Sequence, residues 1–143
     1  MPSDLSRARA ILAGDPGLTC VLVCGEEVIT SRERGVAPLL ELLDAGQDLA
    51  GFSLADKIIG RAAAFLVVKA RLAAVWTSVL SHGAATLLAY HRIPYAFALR
   101  VEGIRNRSDT GPCPMESAVT TIEDVEAALA AIRETREKLR AAG

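Results

Sequence analysis

Ala74-Val75-Trp76-Thr77-Ser78-Val79-Leu80, the turn Ser81-His82, and the later run Tyr95-Ala96-Phe97-Ala98-Leu99-Arg100-Val101 decide the architecture of this chain. The first run is apolar and rich in valine, which reads as a buried strand. Ala84, Leu87 and Leu88 then recur at helical spacing, and Pro94 ends that helix before the second strand begins. A strand, a covering helix and a second strand in one sheet make a parallel pair with a right-handed connection. Ligands of open α/β sheets gather beyond the carboxyl ends of the strands, so the turn places Ser81 and His82 within reach of a pocket.

Upstream, Leu5, Ala8, Ile11 and Leu12 follow Ser3 at helical spacing, and Gly14-Asp15-Pro16-Gly17 stops that helix. Cys20-Val21-Leu22-Val23-Cys24 and Val28-Ile29-Thr30-Ser31 flank Gly25-Glu26-Glu27, a spacing suited to an antiparallel hairpin. Val36, Leu39, Leu40, Leu42 and Leu43 describe a short amphipathic helix with Pro38 in its first turn. Ser53-Leu54-Ala55-Asp56 has the form of a capping box and predicts a second helix running to about Lys69. Within it Gly60, Ala62, Ala63 and Ala64 leave one face with little side-chain bulk. Downstream, a helix is expected from Pro114, a break near Thr120-Thr121, and a last helix opened by a Thr121/Asp124 capping box. Arg133, Arg136, Lys138 and Arg140 gather at the carboxyl end of that helix, where positive charge suits the dipole and requires no partner.

At 143 residues the chain fits a single domain, residues 1–143. Its 51% hydrophobic content excludes intrinsic disorder, and with 4% aromatics the core must be built from Ala, Val, Leu and Ile. Sixteen Lys and Arg against 17 Asp and Glu leave no global field to draw the protein to nucleic acid or to an acidic membrane. The start of the chain lacks the apolar core of a secretory signal, and the longest apolar stretch, residues 58–68, carries Arg61 and is too short to span a bilayer. A cytoplasmic location is expected, with no membrane or nucleic-acid partner. Cys20, Cys24 and Cys113 are odd in number, and reduced thiols are the expectation.

Polar chemistry concentrates in Ile104-Arg105-Asn106-Arg107-Ser108-Asp109-Thr110-Gly111-Pro112-Cys113-Pro114-Met115-Glu116, where Gly and Pro stiffen the backbone. Cys113 precedes Pro114 and is expected as a helix N-cap, a position that favours the thiolate and makes it the candidate catalytic residue. Glu116 then falls at the third helical position, where capping of its own helix competes with contact to a ligand. Asn106, Arg107 and Asp109 can read a polar ligand, or pair among themselves. Asp56, Lys57 and Arg61 are expected in the first turns of the second helix, with Lys57 and Arg61 on one face, an arrangement that suggests an anion. No phosphate-binding glycine loop occurs, no zinc-finger spacing exists, and Ser81 with His82 lacks a third residue for a catalytic triad.

The segments Asp56-Lys57-Ile58-Ile59-Gly60-Arg61-Ala62-Ala63-Ala64, Ser81 with Ala84, and Asn106-Arg107 through Glu116 together resemble a prokaryotic domain-of-unknown-function family, number eighteen ninety-three. The resemblance spans most of the chain. It implies the cytidine-deaminase-like fold, an α/β architecture of three layers with a mixed sheet of about four to five strands flanked by helices. Zinc-dependent deaminases of that fold carry H-x-E at one helix start and P-C-x-x-C at the next. This sequence has no H-x-E, and Pro112-Cys113-Pro114-Met115-Glu116 imitates the second motif but ends in glutamate and follows the later strand. Zinc-dependent deamination is disfavoured, and neither a metal nor another cofactor is expected.

The leading expectation is therefore a metal-free protein of that fold that binds a small polar ligand such as a nucleotide or nucleoside. Its candidate ligand-binding residues are Asp56, Lys57, Arg61, Ser81, His82, Asn106, Arg107, Asp109 and Glu116. One alternative is covalent sulfur or acyl transfer on Cys113. Another is a non-catalytic regulatory or scaffold homodimer built on apolar faces.

Overall fold

The computed structural model describes residues 3–106, 108 and 110–142. Its elements run α1 (Asp4–Gly14), β1 (Cys20–Cys24), β2 (Glu27–Ser31), α2 (Ala37–Asp44), β3 (Ser53–Ile59), α3 (Arg61–Ala70), β4 (Ala74–Ser81), α4 (His82–Tyr90), β5 (Tyr95–Val101), α5 (Pro114–Val119) and α6 (Val125–Ala142). The strands form one mixed five-stranded sheet in the order β2-β1-β3-β4-β5. β1 pairs antiparallel with both β2 and β3, whereas β3, β4 and β5 run parallel to one another.

The sheet is flanked on both faces. Val21, Val23 and Ala55 pack with Ala8 and Leu12 of α1 on one side, and Leu22, Leu54 and Val75 pack with the remaining helices on the other. α3 lies at the centre of that second layer, against α2, α4, α5 and α6. Its residues from Ala62 to Val67 are all buried, as befits a helix that is apolar all round. Full burial of Phe65 and Leu66 alone contributes about 1.5–3 kcal/mol each.

The helix expected from Ser53 begins instead at Arg61, and residues 53–59 form the central strand β3. Pairing on both edges, to β1 and β4, outweighs the local resemblance to a capping box. Asp56 and Lys57 consequently lie on a strand rather than in a helical turn. Lys57 donates its ammonium to the Pro16 carbonyl at 2.6 Å, and the shared face expected for Lys57 and Arg61 does not exist.

One smaller expectation is also corrected. The last helix is opened by Asp124, whose carboxylate accepts from the Ala127 N–H at 2.8 Å, with no Thr121 box. Within the basic run at its end, Arg133 pairs with Asp44 and Arg136 with Glu41 of the same chain, so α6 is tied to α2. The remaining pairs, Lys138 with Glu134 and Arg140 with Glu137, lie within α6 and are exposed, where such pairs contribute little. Among the described residues no helix is long and apolar enough to cross a membrane.

One irregularity in the sheet positions everything that follows. Leu54 and Ile59 belong to the same core although five residues apart, as do Val75 and Leu80, so the two-residue alternation of side chains slips once in each strand. The slip falls at the same level in both. Asp56 pairs with Thr77 there, Ile58 with Val79, and no pairing is formed between them at Lys57 and Ser78. Asp56 accepts from the Ile58 N–H at 3.4 Å, and Thr77 donates its hydroxyl to the Val79 carbonyl at 3.0 Å. The result turns Ile59 and Leu80 into the helical layer and leaves Ile58 half exposed. Each strand then runs directly into its helix.

Candidate functional site: a cleft at the starts of α3 and α4

The start of α3 is capped from a distance. Gly60, its N-cap residue, is extended (φ −98°, ψ −175°) and has no side chain to offer the first N–H groups of the helix. Glu116 of α5 supplies the acceptors: Oε1 takes the Arg61 N–H at 2.6 Å and Oε2 the Ala62 N–H at 2.8 Å. A Cβ on residue 60 would lie 2.2 Å from Glu116 Oε1, so Gly60 is present because the carboxylate needs the space. Glu116 does not cap its own helix as expected. A carboxylate on the positive end of a helix gains from the dipole as well as from charge-assisted hydrogen bonds, each of the latter about 1.5–3 kcal/mol.

Arg61 returns the contact. Its Nε donates to the Val119 carbonyl at 3.1 Å, and Nη2 donates to the Ile122 carbonyl, satisfying acceptors at and beyond the end of α5. The guanidinium also lies 5.1 Å from the Phe65 ring centroid. Glu116 and Arg61 thus form a reciprocal clasp between α3 and α5.

The start of α4 is capped locally. Ser81 is buried, and its hydroxyl accepts from the Ala84 N–H at 3.1 Å. His82 is exposed, with Nδ1 2.8 Å from Arg100 Nη2. A guanidinium can only donate, so Nδ1 is the acceptor and the imidazole proton sits on Nε2.

The loop before α5 is held by its own backbone. Asn106 N–H donates to the Gly111 carbonyl at 3.0 Å and Cys113 N–H to the Ile104 carbonyl at 2.9 Å. The Asn106 side chain closes the turn, accepting from the Thr110 N–H at 3.0 Å and donating to its hydroxyl at 3.1 Å. Cys113 is the N-cap of α5, but its thiol makes no capping hydrogen bond and packs, half-buried, against the main core. Arg107 and Asp109 lie outside the described residues.

These elements enclose a cleft of about 280 Å³. Arg61, Ser81 and Gly83 line it from the helix starts, and Glu102, Gly103 and Ile104 from the end of β5. Pro112 with Glu116, Ser117 and Thr120 of the α5 region completes the wall. A second cavity of about 220 Å³ lies between the β1–β2 hairpin and α2, where Leu22, Ile29, Pro38 and Leu42 give it a mostly apolar lining. The cleft at the helix starts is the larger and gathers the polar groups.

Three of the expected site residues, Arg61, Ser81 and Glu116, meet in the cleft, and His82 sits beside it. Asp56, Lys57, Asn106 and Cys113 are not on its wall. Asp56 is 7% exposed in the middle of the sheet, with Cys20 and Thr77 as its register partners. Burial pushes its carboxyl up to about 8, against the opposing effect of the Ile58 and Lys57 N–H groups. The buried Cys20 thiol is pushed up in turn, chiefly by desolvation and then by the charge of Asp56. The two groups belong to the core.

A family model described as Domain of unknown function (DUF1893) matches residues 8–135. The chain belongs to the DUF1893 family. The crystal structure of TM1506, a DUF1893 family protein from Thermotoga maritima, is similar with a TM-score of 0.81 and 22% identity, covering 96% of this chain and 92% of that one. At that identity the likeness concerns the fold. No curated protein matches the sequence.

In this DUF1893 protein the candidate residues read from the sequence did not include Gly83, Glu102, Gly103, Ile104, Pro112, Ser117 and Thr120 of the cleft wall. The signal for Glu102 to Ile104 was present, since they follow the carboxyl end of a parallel strand. Ser117 and Thr120 become wall residues only because the clasp fixes α5 against α3.

Proposed function

We propose that this DUF1893 protein is a metal-free member of the cytidine-deaminase-like fold that binds a small polar ligand of nucleoside or nucleotide class in the cleft. The observation that carries the reading is the convergence of two helix starts and the end of β5 on one polar cleft, the place where open α/β sheets hold their ligands. Its volume of about 280 Å³ falls just below the roughly 300–1,000 Å³ typical of small-molecule sites, so the ligand is small. Ile104 and Pro112 provide an apolar wall, and the Ser117 hydroxyl and Glu102 carboxylate provide polar contacts that fix orientation.

The groups at the helix starts do not fit the zinc centre of a hydrolytic deaminase. Gly60, Arg61 and Ala62 stand at one start, and Ser81, His82, Gly83 and Ala84 at the other. His82 is the one imidazole among them, and its Nδ1 faces the Arg100 guanidinium.

Thermal shift and calorimetry across nucleosides, nucleotides and polar metabolites test the reading. At least one compound should bind, and Glu102→Ala and Ser117→Ala should weaken it tenfold or more with little change in melting temperature. A panel in which no compound binds would overturn it.

A second reading, a regulatory or scaffold homodimer, is favoured by the edge strand β5, whose Phe97 and Leu99 are 40% and 56% exposed. A long apolar edge invites pairing with another chain. Light scattering that gives a monomer across the working concentration range would remove it.

A further inference from the structure

We infer that the Glu116 carboxylate is a built-in anion that closes the start of α3 to acidic ligands, so the cleft takes an uncharged or basic polar molecule rather than a phosphorylated one. The inference rests on the cleft being a ligand site and narrows its ligand class.

The positive end of a helix with unpaired N–H groups would otherwise suit a phosphate. Here the first two N–H groups of the helix, those of Arg61 and Ala62, are already taken by the two oxygens of Glu116. The arrangement is built for the carboxylate, because Gly60 leaves the volume that any Cβ would take from it. The one cation of the described lining is turned elsewhere: Arg61 directs its guanidinium onto the Val119 and Ile122 carbonyls. Glu102 places a second carboxylate on the wall, so the described lining carries two carboxylates against one guanidinium. An acidic ligand would have to approach two negative groups or displace one of them. An uncharged ligand meets acceptors suited to its N–H and O–H groups.

The test compares wild type with Glu116→Ala, using inorganic phosphate against chloride at matched ionic strength. In wild type the Arg61 and Ala62 amide resonances should not move saturably with phosphate. In Glu116→Ala those two amides should shift saturably, and phosphate should restore part of the lost melting temperature. Saturable phosphate shifts of these amides in wild type, or none in the variant, would overturn the inference. If the alanine variant does not fold, the phosphate titration of wild type and the nucleoside arm decide the inference. A nucleoside and its 5′-monophosphate form the second arm on wild type, with the nucleoside expected to bind at least tenfold tighter. Equal or reversed affinities would overturn the ligand class. If neither binds while the Glu116→Ala amides respond to phosphate, the ligand-site reading fails and the closure of α3 by Glu116 stands.

Discussion

The units β3–α3 and β4–α4 are near copies offset by 21 residues, and they solve the same problem differently. Asp56 corresponds to Thr77, Ile59 to Leu80 and Gly60 to Ser81, and each strand slips its side-chain alternation just before its helix starts. In the β4–α4 unit the slip and the cap are both met locally: Thr77 bonds the Val79 carbonyl and Ser81 caps the helix it precedes. In the β3–α3 unit the slip carries a buried carboxyl, and the helix takes its cap from Glu116, far along the chain. The local solution makes a helix. The borrowed one also fixes α5 against α3 and thereby forms a wall of the cleft.

The largest expected difference between the units lies in pH dependence. The Asp56 carboxyl is raised from 3.8 to about 8 in the folded protein, so the native state binds that proton more tightly than the unfolded chain. Its contribution is fully present below about pH 4 and is lost as pH rises toward 8, with a loss of the order of a few kcal/mol. Asp56→Asn should flatten that slope in urea titrations run between pH 4 and 8. Thr77→Val should leave it unchanged, since that unit has no carboxyl in the equivalent place.

Next comes the cap. Glu116→Ala leaves two N–H groups without acceptors and releases α5, and should cost about 3 kcal/mol in urea denaturation. Gly60→Ala should cost about 2 kcal/mol, because its Cβ displaces the carboxylate. That cost should largely vanish in a Glu116→Ala background, and a double-mutant cycle showing additivity would break the proposed coupling. The smallest effect belongs to the locally capped helix: Ser81→Ala should cost about 1 kcal/mol.

The same contrast explains what the sequence made legible. The hairpin, β4, α4 and β5 rest on neighbours in the chain, and the structure has them where turn residues and periodicity put them. β3 was misread as helix because Ser53 and Asp56 have the spacing of a capping box, and a carboxylate inside a central strand runs against strand preference. Glu116 was placed in its helix correctly but given the wrong partner, since the third helical position serves a local cap or a distant one equally well. For Asn106 the sequence left a ligand or internal pairing open, and the structure shows Thr110 using its polar groups to close the turn. Ser81, Arg61 and Glu116, all singled out from the sequence, lie on the cleft wall, and what joins them depends on α5 meeting α3, which no local pattern encodes.

The most direct test of the account is amide-resolved titration of the wild-type protein with uncharged nucleosides. The account predicts that the Gly83, Gly103, Ser117 and Thr120 amides shift together and saturate with one affinity, while Arg61 and Ala62, held by Glu116, keep their positions. Shifts confined to the cavity between β1–β2 and α2, or no saturable shift with any nucleoside, would contradict it.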